Sequence, residues 1–241
     1  MSFETAAATD VGRARDVNED AAAVREADDW CLAVVADGMG GHAAGDVASE
    51  AAVSAFVDHV EAGLADGGDP ETVLAAGATA ANDRLRALIA DDPSLEGMGT
   101  TLVAAFVRDG TATFVNVGDS RGYLVGERFE QVTVDHSLVQ ELVDSGDLTA
   151  EEAADHPQRN VVSQSLGTDE SVDPDTFTVS LDGWALVCSD GLTEEVDDDA
   201  IESVCRGTDD PETAAATLVE RANENGGSDN VSVAVAGEHT A

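Results

Sequence analysis

Short apolar runs recur along the chain, at residues 3–9, 21–25, 31–36, 101–107, 112–117, 122–125, 177–180, 185–188 and 231–236. Runs of this length, alternating or unbroken, predict strands buried on one or both faces of a sheet. Arg108-Asp109-Gly110-Thr111 joins two of them, and Asp-Gly between apolar runs predicts a tight hairpin. The stretches between carry a helical period instead. Ala44, Val47, Ala48, Ala51, Ala55 and Phe56 fall on one helical face. Asp-Pro-Glu-Thr occurs twice, with Asp69 and Asp210 placed to cap a helix and Pro70 and Pro211 at the first helical position. These starts predict helices reaching about Ala90 and Asn223. Residues 137–154 read as one or two short helices, and 155–175 as a less regular flap or surface insertion. Strands come in groups rather than alternating with helices. The expectation is an α+β fold of antiparallel sheets with helices packed outside, in one domain spanning 1–241 with a flap-like segment around 137–175.

Composition narrows the picture. Aromatic residues make up only 4 % of the 241, so Ala and Val must build most of the core. Fifty acids face eleven arginines, there is no lysine, and the net charge is −39. Such a surface repels phosphate backbones, which argues against nucleic-acid binding. It suits a halophilic setting, where molar salt shortens the Debye length to about 3 Å and mutes self-repulsion. Without lysine there is neither a P-loop nor a Schiff base. Cys31, Cys188 and Cys205 are widely spaced and read as buried thiols. No apolar run approaches the ~20 residues of a membrane span, and the first residues lack a signal-peptide core. A cytoplasmic, monomeric protein with no membrane partner is expected.

The apolar run 31–36 ends in Asp37-Gly38-Met39-Gly40-Gly41-His42. The glycines fit the dinucleotide-binding pattern G-x-G-x-x-G/A, but that motif needs a second parallel strand and a ribose-binding acid about 20 residues on, where two helices are expected. Asp37 would also repel a pyrophosphate. As a cation ligand it is well placed, with Gly38 leaving its own carbonyl uncrowded. Alone, Asp37 would read as a turn acid. It is joined by Glu19 and Asp20 ahead of one strand-like run, Asp119 and Asp190 behind two others, and Asp229 ahead of the last. Acids at so many strand ends suggest one convergent oxygen-ligand site suited to Mg²⁺ or Mn²⁺, and no EF-hand spacing is present.

In chain order the sequence reads R-x-x-N-E-D, D-G-M-G-G-H, M-G-T-T, G-D-S-R, D-H-S-L, S-D-G-L and S-D-N, from Arg15 to Asn230. This ordered set resembles the PP2C-type (PPM) metal-dependent protein serine/threonine phosphatases, bacterial single-domain members most closely. The resemblance implies a four-layer αββα sandwich and hydrolysis of phosphoserine and phosphothreonine in proteins by a metal-bound hydroxide at a two-metal Mg²⁺/Mn²⁺ centre. On matching positions, Asp37 bridges both metals and the Gly38 carbonyl binds the first. Asp190 and Asp229 bind the second, Glu19 and Asp20 ligate directly or through water, and Asp119 with Asp190 forms a weaker third site. Arg15 stands where the family binds the substrate phosphate. The implied partners are phosphorylated proteins, the products of a Ser/Thr kinase.

Two positions depart from the wider family. Met39 follows Asp37-Gly38 where many eukaryotic members have histidine, leaving His42 as the candidate general acid. Gln164 replaces an arginine that many bacterial members carry in the flap. Two other functions are carried alongside: a small-molecule phosphohydrolase on the same fold, and a catalytically silent metal- or partner-binding module, which would be expected to have lost metal acids. Thr100, Thr101, Ser120 and Arg121 read as supports beneath the acids, and Asp135 and His136 as turn-fixing residues.

Overall fold

The structure, a computed structural model, describes residues 3–40, 44–154, 156–208 and 210–238. Eleven strands are found among them: β1 (Phe3–Asp10), β2 (Asp20–Glu26), β3 (Cys31–Met39), β4 (Gly99–Thr100), β5 (Leu102–Arg108), β6 (Thr111–Val117), β7 (Arg121–Val125), β8 (Phe129–Gln131), β9 (Asp175–Ser180), β10 (Trp184–Cys188) and β11 (Val231–Glu238). The helices are α1 (Gly45–Ala65), α2 (Pro70–Asp91), α3 (Leu138–Asp144), α4 (Ala150–Ala154), α5 (Asp190–Thr193), α6 (Asp198–Arg206) and α7 (Pro211–Asn225). No helix of the described residues is long and apolar enough to cross a membrane.

The strands form two antiparallel sheets. One runs β1-β11-β10-β7-β8; the other runs β2-β3-β5-β6-β9, with β4 paired to the end of β3. Three apolar clusters give four layers. Leu32, Val34, Phe106 and Val115 pack against Phe56 and Leu74 of α1 and α2. Leu186, Cys188, Val233 and Val235 pack against Ile201 and Leu218 of α6 and α7. Between the sheets lie Cys31, Ala33, Val35, Ala105, Ala112, Phe114, Ala185, Val187, Ala234 and Ala236. β3 therefore reads as an unbroken apolar run because both of its faces are buried. The expected sandwich is the one observed.

Local signals acted as their chemistry dictates. Asp69 accepts from the Thr72 N–H and Asp210 from the Thr213 N–H, with a proline opening each helix. The hairpin at 108–111 turns through Asp109 at φ 52° and Gly110 at φ 69°, the left-handed pair a two-residue turn requires. Val47 is a correction: it is 37 % exposed. The buried ridge of α1 runs through Ala48, Ala52, Phe56 and Val60 instead, a four-residue period that turns Val47 outward. β8, only three residues long, and the single turn α5 were not foreseen.

Candidate metal centre

The site lies where the layer between the sheets opens to solvent. Side chains alternate along β3, so Cys31, Ala33 and Val35 face the opposite sheet and Asp37 is next in that series. Asp20 of β2 is its cross-strand partner. The other sheet contributes Asp190, directly after Ser189 at the end of β10, and Asp229, just ahead of β11. Asp119 sits in the turn from β6 to β7. Asp37 thus lies within a strand rather than after it, because Gly38 and Met39 continue pairing with Thr100 and Gly99.

Gly38 is needed for a reason beyond an uncrowded carbonyl. A Cβ there would stand 2.2 Å from the Gly45 carbonyl oxygen and 2.3 Å from that of Glu19. Three backbone segments meet at this point, and only a residue without a side chain lets them. Gly191 does the same for the opposite sheet, where a Cβ would stand 1.9 Å from the Asn230 carbonyl oxygen. These contacts bring α1 and the turn before β2 up to Asp37, and the turn before β11 up to Asp190.

A polar scaffold holds the acids. The Asp37 N–H donates to Thr101 Oγ1 at 2.9 Å, and Thr100 Oγ1 donates to the Asp37 carbonyl at 2.8 Å. Thr101 Oγ1 also meets Ser120 Oγ at 2.7 Å, which joins Asp37 to the Asp119 turn. Arg121 grips Asp135 through two nitrogens, at 3.0 and 2.7 Å. Ser189 Oγ donates to Asp20 Oδ2 at 2.7 Å. Buried Asn230 accepts from the Glu19 N–H at 2.8 Å and donates to the carbonyls of Val11 and Val17 at 2.9 Å each. Sequence reasoning missed Ser189 and Asn230 as supports, although each stands beside a site acid in the motifs S-D-G-L and S-D-N.

The electrostatics are those of anions crowded together. Burial lifts the Asp20 carboxyl to about 7, against the Ser189 and Ser232 hydrogen bonds, with Asp190 and Asp229 adding to the rise. Burial, then the charges of Asp20 and Asp190, push Asp37 well above the usual carboxylate range. Asp119 rises to about 7 through burial and the nearby Asp190 and Asp135. Burial also raises Asp190, against the hydrogen bond it shares with Asp37. Asp20 Oδ1 and Asp190 Oδ1 are buried with no hydrogen-bond partner. Among the described residues no three carboxyl, imidazole or thiol groups form a finished ligand cage. The fit to a metal therefore rests on chemistry: hard oxygen donors, two of them orphaned, in a pocket short of positive charge.

The remaining predicted residues fall as follows. Arg15, half exposed at the rim, donates to Asp229 Oδ2 at 2.6 Å. Glu19 contributes its backbone, accepting from the Gly38 N–H at 3.1 Å and from Ser49 Oγ at 2.6 Å. Its carboxyl lies against Gly45, where a Cβ would stand 2.8 Å from Cδ. His42 lies outside the described residues. The flap is tethered to the helix that begins with Asp190: Asn160 Nδ2 donates to Glu194 Oε1 at 2.6 Å, and Arg159 lies 3.7 Å from the same oxygen.

With this geometry in place, comparison with known proteins is informative. The model of the family described as Protein phosphatase 2C matches residues 12–220. The serine/threonine phosphatase stp of Listeria monocytogenes is 40 % identical over 231 residues, covering 93 % of this chain and 92 % of that protein. The crystal structure of the serine/threonine phosphatase PstP/Ppp of Mycobacterium tuberculosis superposes with a TM-score of 0.87 at 39 % identity, covering 98 % of this chain and 99 % of that one. A second structure, the catalytic domain of PstP in complex with two manganese ions, gives a TM-score of 0.82 at 37 % identity and covers 97 % of each chain.

Proposed function

The chain belongs to the protein phosphatase 2C family, and from that premise we propose that it dephosphorylates phosphoserine and phosphothreonine residues of proteins at the aspartate cluster between its sheets. The observation that carries this reading is the convergence of Asp20 and Asp37 from one sheet on Asp190 and Asp229 from the other, with a mutual charge repulsion that protons or bound cations relieve.

Asp37 is assigned to both of two divalent cations, with the Gly38 carbonyl at the first and Asp190 and Asp229 at the second. Asp20 completes the set, and Glu19 acts through water or through its backbone. Bound there, two such cations supply an activated water and neutralise charge on the phosphoryl oxygens. The chain's own groups do the rest. Arg15, held at the rim by Asp229, presents a guanidinium fork that matches phosphate oxygens. Burial keeps bulk water from screening the attraction between the carboxylates and their cations. His42 is retained as the candidate proton donor to the departing seryl or threonyl oxygen. Asp119, raised by Asp190, is assigned with it to a weaker third cation.

The test is hydrolysis of a phosphothreonine peptide with Mn²⁺ or Mg²⁺, with EDTA, and beside a simple aryl phosphate. Activity that survives EDTA refutes the metal reading; a preference for the free ester over every peptide favours the small-molecule alternative. Asp119→Ala is expected to retain two tight Mn²⁺ sites by calorimetry while turnover falls about 10²-fold. Loss of both tight sites would make Asp119 part of the central pair.

A further inference from the structure

The segment after β8 carries one residue bonded in more directions than a turn needs. The His136 N–H donates to the Gly118 carbonyl at 2.9 Å, and the Gly118 N–H donates back to His136 Nδ1 at 3.2 Å. Gly118 immediately precedes Asp119. On its other side, the His136 carbonyl accepts from the Ser163 N–H at 2.9 Å, and Nδ1 lies 2.9 Å from Gln164 Nε2. Ser163 and Gln164 belong to the flap. The imidazole, only 12 % exposed, sets Nε2 3.0 Å from Asp175 Oδ2.

The direction of these bonds follows from their partners. A backbone N–H only donates, so Nδ1 must accept from Gly118. The Gln164 amide is oriented by Asp173, whose N–H donates to Oε1 at 2.5 Å and whose carbonyl lies 3.2 Å from Nε2. Its NH₂ is therefore the end that faces His136, and Nδ1 accepts from it too. The ring proton then sits on Nε2 and points at Asp175. One nitrogen lone pair thus serves the Asp119 turn and the flap together. The flap continues to Leu166, which exchanges both backbone hydrogen bonds with Thr100, the residue whose hydroxyl holds the Asp37 carbonyl.

We propose that His136 is a positioning residue through which the docked flap sets the orientation of the Asp119 carboxylate. The inference rests on the reading of Asp119 as a site acid. It extends that reading by giving the flap, whose family arginine is replaced here by Gln164, a role that needs no contact with substrate. Were His136 only a turn-fixing residue, its two bonds to Gly118 and Ser163 through the main chain would suffice, and the side chain would be replaceable.

The experiment compares His136→Leu with His136→Asn, whose Oδ1 keeps an acceptor one bond from Cγ where Nδ1 stood. His136→Leu strands two donors and is expected to lower kcat about tenfold, with KM changed less than about twofold. Exchange at the Gly118 backbone amide and the Gln164 side-chain amide should quicken by about tenfold, and two tight Mn²⁺ sites should remain. His136→Asn should hold kcat within about threefold of wild type and keep the exchange protection. Gln164→Leu should move kcat in the same direction as His136→Leu. Adding His136→Leu to Asp119→Ala should cost nothing further, because the two act on one turn. Equal impairment of the Leu and Asn variants, unchanged exchange in His136→Leu, or independent effects of His136→Leu and Asp119→Ala would each overturn the proposal. If the wild-type chain does not hydrolyse the peptide with Mn²⁺, the phosphatase reading fails, and the exchange measurements alone decide whether His136 links flap and turn.

Discussion

Acids gather at both ends of β3, with opposite consequences. At its start, Glu26, Asp29 and Glu61 line a cleft of about 390 Å³ together with Arg108. There the acids are exposed, Glu61 lies 3.6 Å from Arg25, and Arg108 stacks 5.4 Å over the Phe106 ring. At its end, Asp37 and its neighbours are enclosed by both sheets, share hydrogen bonds, and leave two carboxylate oxygens unpaired. Water surrounds the first group and reaches the second only in part, with Asp20 buried and Asp37, Asp119, Asp190 and Asp229 half-buried. Acid content alone does not mark a metal centre in a chain of net charge −39; desolvation of the acids does.

The strongest test of this contrast exchanges charge for an isosteric amide at each end. Asp37→Asn should abolish calorimetric binding of the two Mn²⁺ ions and lower peptide turnover by at least about 10³-fold. Asp29→Asn with Glu61→Gln should leave both within about twofold, since exposed charges are screened. Comparable losses at both ends would dissolve the distinction. The arginines extend the comparison. Arg15→Ala should raise KM for a phosphothreonine peptide about tenfold, with kcat and metal binding nearly kept, whereas Arg108→Ala should leave KM unchanged.

Protonation sharpens it further. The four lifted aspartates ionise freely in the unfolded chain near pH 4 but resist ionising in the fold, Asp20 and Asp119 up to about 7. Between those values the folded state binds more protons than the unfolded one, so stability falls as pH rises. Metal-free protein should therefore lose about 5 °C in Tm from pH 5 to 8. Mn²⁺, which competes with those protons, should raise Tm more at pH 8 than at pH 5. A Tm gain from Mn²⁺ independent of pH would refute this. The smallest effect concerns the remaining surface: with charge −39, Tm in EDTA should climb a few degrees from dilute buffer to molar KCl, and a flat response would remove the salt-adapted reading.

Much of this was legible beforehand because local chemistry and global fold agree. The unbroken run 31–36, the Asp-Gly turn and the two Asp-Pro-Glu-Thr starts each name their own structure, and a two-residue period places Asp37 on the face shared with its sister sheet. What escaped depends on partners distant in sequence. β8 is a strand only because β7 lies beside it. Val47 fits the helical face by period and misses it by rotation. The supporting roles of Ser189, Asn230 and His136 arise where two sheets and a flap meet, and no window of sequence contains both halves of those contacts.

The alanines between the sheets have a consequence for the metals. Ala33, Ala105, Ala185 and Ala234 fill that layer with single methyl groups. They act as shims: Asp37 is fixed to one plate of the sandwich and Asp190 to the other, so the thickness of the shim sets the gap between the two carboxylates. One extra methyl or two at Ala105 or Ala234, far from any ligand, would jack the plates apart and detune the jaws at their rim. The scarcity of large side chains in this sequence is, on that view, the calibration of an instrument whose working parts are the acids at its mouth.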